Sequence, residues 1–200
     1  MGEPVTARER TVDRREFVAG LLAACPSALV IAGLGAPAYD LFAAGDRDEY
    51  FYLWGAMGGA AAMGLGLALA QPDRSVIVLT GDGEQLMGLG ALATIGAQRP
   101  GNLTVVVLDN GHYGETGMQE SHTSLGTSLA AVALACGFDR AWEIASADGV
   151  QPLAERVRAR DGCGLAQVLV RAEALERTLP SRDGVYLKNR LRAALGLPGA

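Results

Sequence analysis

Two apolar runs, Ser75-Val76-Ile77-Val78-Leu79-Thr80 and Leu103-Thr104-Val105-Val106-Val107-Leu108, constrain this chain more than any other feature. Each is a nearly unbroken series of β-branched residues and leucine. A strand with one wet face alternates apolar and polar positions; a strand covered on both faces does not. Between the runs lie a helix-like stretch, 84–97, and the turn Arg99-Pro100-Gly101-Asn102. Strand, helix, turn and strand return a chain to a neighbouring parallel strand. The pattern extends in both directions. Helices are predicted over 12–24, 37–44, 57–70, 84–97, 128–136 and 150–159, and strands over 28–32, 50–53, 75–80, 103–108, 141–144 and 165–171. The stretch 109–127 reads as a loop. The expected class is α/β, a parallel sheet with helices on both faces. With 200 residues, 50% of them hydrophobic, the chain fits a single domain, 1–200. Residues 1–11 and about 173–200 are expected as peripheral tails, the second carrying a helix across the surface.

Composition removes several partners. A net charge of −5 offers no basic face for nucleic acid. Cys25, Cys136 and Cys163 are scattered and form no C-x-x-C, so neither a zinc site nor a disulfide framework is expected. A reducing cytoplasm suits such thiols. Asp13-Arg14-Arg15-Glu16-Phe17-Val18, with the apolar stretch to Ala36-Pro37-Ala38, resembles a twin-arginine export signal, and Leu22-Ala23-Ala24-Cys25 a lipobox. Pro26 interrupts that stretch, and cleavage after Ala38 would remove a strand. A helix ended by Pro26, then a buried strand, is the preferred reading. Leu53 to Gln71 is uncharged and near membrane-spanning length, but it holds five glycines and stops at Pro72. A buried helix is expected there, and no membrane contact. Its glycines allow close packing, inside the domain or against a partner.

In parallel α/β sheets, sites form at the carboxyl ends of strands. Asp82 stands between Gly81 and Gly83 just after one run; Asn110 follows the other. Twenty-eight positions separate them, the length of one strand-helix-strand return. One carboxylate and one amide oxygen suit a hard cation such as Mg²⁺, which then takes phosphate oxygens as well. Gly81, Gly83 and the helix start at Glu84 supply free backbone N–H groups for phosphate. The expected guest is a diphosphate held through a divalent metal. A competing dinucleotide fingerprint, Gly33-x-Gly35-x-x-Ala38, is short, and the strand 50–53 ends in Trp54-Gly55 with no acid for a ribose.

Gly81-Asp82-Gly83 followed by Asp109-Asn110 resembles the thiamine diphosphate motif of 2-oxo acid decarboxylases, with Asp109 in place of a first Asn. Gly45-Asp46-Arg47-Asp48, Gly55-Ala56-Met57-Gly58, the run Asp109 to Gln119, His122-Thr123-Ser124 and Ala135-Cys136-Gly137 extend the likeness. Over roughly 14–171 the chain is most similar to the beta subunit of sulfopyruvate decarboxylase and the C-terminal part of phosphonopyruvate decarboxylase. The resemblance implies a lyase that releases carbon dioxide and an aldehyde from a small 2-oxo acid, with thiamine diphosphate and Mg²⁺ as cofactors. It implies Asp82, Asn110 and the backbone carbonyl of His112 as metal ligands. Gly55, Ala56, Met57, Tyr113 and Gly114 would join Gly81, Gly83 and Glu84 around the cofactor. Met57 would wedge between the two cofactor rings, and the Gly55 carbonyl would accept from the 4′-amino group. Glu115 and His122, and less so Gln119, are candidates for proton relay or substrate binding, or for ordering the loop.

The resemblance also implies a partner: an alpha subunit carrying the pyrimidine-binding domain and the catalytic glutamate, in a hetero-oligomer with beta–beta contacts. Alternatives are an acetolactate synthase-like carboligase subunit and a non-catalytic cofactor-binding subunit. Where relatives favour a Ser-Arg pair after the first strand, this chain has Ala36-Pro37-Ala38-Tyr39-Asp40. That departure leaves the 2-oxo acid open.

Overall fold

The computed structural model describes residues 9–198. Six strands form one parallel sheet: β1 (Leu29–Ala32), β2 (Tyr50–Tyr52), β3 (Val76–Gly81), β4 (Leu103–Asp109), β7 (Arg140–Ile144) and β8 (Gly164–Leu169). A small antiparallel hairpin, β5 (His112–Tyr113) and β6 (Gln119–Glu120), stands apart. The order across the sheet is β2-β1-β3-β4-β8-β7. The helices are α1 (Arg14–Ala24), α2 (Ala36–Ala43), α3 (Ala60–Ala70), α4 (Asp82–Met87), α5 (Gly90–Gln98), α6 (Leu129–Ala135), α7 (Val150–Ala159) and α8 (Gly184–Ala194).

The lack of alternation in the strands has its reason in two cores. Val30, Ile77, Leu79, Val106 and Leu108 face one of them, together with α1, α2 and α7. Leu29, Ile31, Val76, Val78, Val105 and Val107 face the other, with α3, α5 and α6. Neighbouring residues of one strand thus bury on opposite sides. Gly64 lets α3 lie close on β3, where any side chain would meet Val78. That part of the glycine-rich helix serves internal packing.

Three expectations change. The helix placed at 57–70 begins only at Ala60, because Gly58 (φ 88°) turns the chain in the left-handed region. Met57 therefore sits on a turn. The helix placed at 84–97 is broken at Gly88-Leu89 into α4 and α5. There the backbones of Gly58 and Gly88 touch, and a Cβ on Gly58 would lie 3.0 Å from the Gly88 nitrogen. Of the segment 173–200, residues 199 and 200 lie outside the described residues, and the rest is not merely peripheral: Leu187 of α8 is fully buried, at 0% exposure, in the first core. Of the tail expected over 1–11, residues 1–8 lie outside the described residues, whereas Arg10 reaches a buried carboxylate.

The arginine pair of the export-like segment is structural. Asp13 caps α1, and Arg14 and Arg15 both donate to the buried Asp40 of α2, at 2.7 and 3.1 Å. Burial pushes the Asp40 carboxyl up, and the two guanidinium groups oppose that rise. Among the described residues, no helix is long and apolar enough to cross a membrane.

Asn102, in the turn before β4, ties α3 to the sheet. Its amide nitrogen donates to the carbonyls of Ala68, Gln71 and Arg74, at 3.1, 2.9 and 2.8 Å. Asn102→Ala leaves buried carbonyls short of a donor. It is expected to cost about 1–2 kcal/mol, lowering Tm by roughly 2–8 °C for a domain of this size. Thermal unfolding followed by circular dichroism checks this.

Candidate functional site

The register of β3 and β4 sets Gly81 opposite Leu108, so Asp82 and Asn110 follow at the same edge of the sheet. A cleft of about 320 Å³ opens there. Gly81, Asp82, Gly83 and Glu84 line it from β3 and α4; Asn110, His112, Tyr113, Gly114 and Glu115 line it from the chain beyond β4. Met57 and Trp54 close the side toward β2.

Asp82 is 2% exposed and accepts hydrogen bonds from Ser121 Oγ and, at 3.2 Å, from Thr123 Oγ1. Beside it lies Asp109, wholly buried. Asp109 Oδ1 accepts from Thr123 Oγ1 at 2.7 Å, from the Gly111 N–H at 2.9 Å and from Arg10 Nη2 at 3.1 Å. Its Oδ2 accepts from Gln167 Nε2 at 2.6 Å. Thr123 has one hydroxyl hydrogen and two carboxylates within reach, so it serves only one at a time. Burial first, and the charge of Asp109 second, push the Asp82 carboxyl up to about 6, although Ser121 and Thr123 pull it down. This corner of the site is short of positive charge.

At the tip of β4 the chain folds back on itself. Asn110 Oδ1 accepts from the His112 N–H at 2.9 Å, and His112 Nδ1 lies 2.8 Å from the Asn110 carbonyl. Gly111 takes φ 74°, and a Cβ there would lie 2.7 Å from the Arg10 guanidinium carbon. Asn110 Oδ1 has a second lone pair for an ion. Gly83 lies against the Tyr113 ring, where a Cβ would come within 2.6 Å. A side chain at Gly83 would force the Tyr113 ring to move.

The remaining candidates separate. Met57 is 42% exposed and lines the cleft. Gly55 (φ 73°) and Ala56 lie on the exposed crest of the same turn, outside the cleft lining. Glu115 lines the cleft and pairs with Arg177 at 3.1 Å. Gln119 orders its own loop through Thr116, at 3.1 Å. His122 is exposed and is not part of the cleft lining. Its neighbours Ser121 and Thr123 are the residues that turn inward to the carboxylates. Sequence reasoning passed over them, and over Arg10, Gln167 and the side chain of Glu84. The one available signal was alternation about His122, which places 121 and 123 on the opposite side.

The donor set suits a hard ion. It offers a buried carboxylate, an amide oxygen and nearby main-chain carbonyls. Among the described residues, no group of three or more His, Cys, Asp or Glu is placed to hold a metal. An ion here must therefore draw on amide, carbonyl or phosphate oxygens too. The start of α4 at Asp82 presents main-chain N–H groups to the same cleft. These residues fit a metal-bound diphosphate.

Fold and site together define an α/β domain with a diphosphate-type cleft at its strand ends. Residues 38–179 match the model of the thiamine pyrophosphate enzyme, C-terminal TPP binding domain, and the chain belongs to that family. It is 41% identical over 182 residues to the phosphonopyruvate decarboxylase of Streptomyces viridochromogenes, covering 90% of this chain and 45% of that one. It is 44% identical over 128 residues to the sulfopyruvate decarboxylase subunit beta of Methanothermobacter thermautotrophicus, covering 64% of this chain and 68% of that one. A thiamine diphosphate-dependent 4-hydroxybenzoylformate decarboxylase from Rhodococcus jostii RHA1 shares the fold, with a TM-score of 0.69 and 21% identity, over 86% of this chain and 36% of that one. The chain spans about half the length, 45%, of the phosphonopyruvate decarboxylase it matches.

Proposed function

We propose that this chain is the diphosphate-binding subunit of a two-chain, thiamine diphosphate-dependent decarboxylase of small 2-oxo acids. The observation that carries the reading is the buried Asp82, raised by its surroundings and set beside Asn110 in a cleft that Met57 walls. Asp82, Asn110 and the His112 carbonyl would hold Mg²⁺, and the N–H groups at Gly83 and Glu84 would face the diphosphate. Bound thiamine diphosphate supplies the electron sink for loss of carbon dioxide. Met57 and its turn orient the cofactor rings, and Tyr113, packed on Gly83, keeps water from the diphosphate end. Glu115, which pairs with Arg177, would move a proton at the substrate or, through that arginine, meet a substrate acid. The relatives named as beta subunits support a companion alpha subunit, which we propose brings the catalytic glutamate.

The test has two stages. The purified chain should bind thiamine diphosphate only when Mg²⁺ is present. With its co-purifying partner it should release carbon dioxide from at least one 2-oxo acid in a screen. Turnover by the chain alone would contradict the split site, and capture of a second 2-oxo acid without aldehyde release would identify a carboligase.

Binding should also follow pH. The cation needs the ionised form of Asp82, whose carboxyl protonates as pH falls through about 6 in the ion-free protein. Mg²⁺-dependent cofactor affinity should be flat above that value and fall roughly tenfold per pH unit below it. Calorimetric titrations from pH 4.5 to 8 measure the slope.

A further inference from the structure

Glu84 was expected to contribute only its backbone N–H. Its side chain does something else. It is 4% exposed, and its carboxylate collects donors from three separate segments. Oε2 accepts from the Leu34 N–H, beyond β1, and from Thr80 Oγ1 in β3, each at 3.0 Å. Oε1 accepts from the Gly58 N–H at 3.3 Å. Gly33 leaves the room this needs, because a Cβ there would run into the carboxylate. Gly58 is fixed a second time by its backbone contact with Gly88, just past α4. The turn before α3 is thus bolted to α4 at two points, one at each end of that short helix. Met57, the residue before Gly58, lines the cleft with 42% of its surface exposed.

We propose that Glu84 is a positioning residue: its carboxylate sets the Met57 turn against the cleft before any cofactor arrives. The inference rests on the thiamine diphosphate reading above and deepens it. The hydrogen-bond partners of Glu84 and Asp82 do not overlap. Asp82 is held by Ser121 and Thr123, Glu84 by Leu34, Thr80 and Gly58. Loss of Glu84 should therefore loosen the ring end of the cofactor site and spare the diphosphate end. A preset turn matters because ordering a mobile one on binding subtracts from affinity.

Two ligands separate the ends. The full-length chain is titrated by calorimetry with Mg²⁺ and thiamine diphosphate, and again with Mg²⁺ and inorganic pyrophosphate. Glu84→Ala keeps the backbone N–H and should weaken thiamine diphosphate about tenfold more than it weakens pyrophosphate, the scale of one or two lost hydrogen bonds. Gly33→Ala should give the same split, since it displaces the carboxylate without altering Met57 or Asp82. Hydrogen exchange at the Gly58 amide should quicken in both variants with no ligand present. Equal losses for the two ligands, or no loss for either, would overturn the proposal; so would unchanged exchange at Gly58. If the parent chain binds neither ligand, the cofactor reading itself fails instead.

Discussion

Asp82→Ala should abolish Mg²⁺-dependent thiamine diphosphate binding while leaving the protein folded. The two halves of this result have different causes. Removing a single group that merely orients a metal ligand costs 10- to 100-fold in affinity, so loss of the only carboxylate proposed as a ligand should cost at least about 100-fold. Stability moves little, because two effects oppose. Burial and the charge of Asp109 raise the Asp82 carboxyl to about 6, so its ionised form is a liability at pH 7 in the ion-free protein. That penalty is present above the folded value and fades as pH falls through it. Alanine relieves that penalty. Against this, the hydroxyls of Ser121 and Thr123 lose an acceptor, at about 1–3 kcal/mol. Thermal melts with and without Mg²⁺ and thiamine diphosphate decide the matter. The parent chain should be raised in Tm by the ligands; the variant should melt near the parent's ligand-free value and not respond. A variant that still responds would place the ion elsewhere.

What was legible in the sequence follows from what a residue can report about itself. Val76 to Leu79 and Leu103 to Leu108 announce burial on both faces. Parallel pairing then fixes which ends of the strands carry Asp82 and Asn110, and the sheet places them as the spacing required. The turn at Met57 was hidden because it depends on Gly58 and Gly88, thirty positions apart, whose contact also breaks the following helix. Neither glycine says alone which partner it will meet. Ser121 and Thr123 were hidden for a different reason: hydroxyls in a polar loop look like solvent-facing residues until a carboxylate is found beneath them. His122 drew notice for its chemistry, and the same local alternation that buries its neighbours turns it outward. Glu84 was visible as a helix start with a free N–H for phosphate; only the fold shows that Leu34 and Gly58 converge on its carboxylate.

The hardest feature to foresee was the company of Asp109, and it yields the second large effect. An aspartate where an asparagine is usual in the motif adds a buried negative charge next to Asp82. The chain answers with Arg10, ninety-nine positions away, which donates Nε and Nη2 to Asp109 Oδ1 at 3.3 and 3.1 Å. Arg10→Gln strips that carboxylate of its cation and should destabilise the fold by about 3–5 kcal/mol, as breaking one side of a buried pair does. Asp109→Asn alone should also destabilise, since it removes the carboxylate that Arg10 Nε and Nη2 both reach. The double variant Arg10→Gln/Asp109→Asn removes both charges and keeps hydrogen-bonding shape, so it should recover much of the loss. Urea denaturation of the four proteins gives the coupling; an interaction of roughly 1–3 kcal/mol is expected for groups in direct contact, and additivity within about 0.5 kcal/mol would show that the pair is not coupled. The double variant has a further consequence at the site. With the Asp109 charge gone, one of the two causes that hold Asp82 near 6 is gone as well. The lower limb of its pH profile for Mg²⁺-dependent binding should then shift to more acid pH, which ties the buried pair to the ion through Asp82.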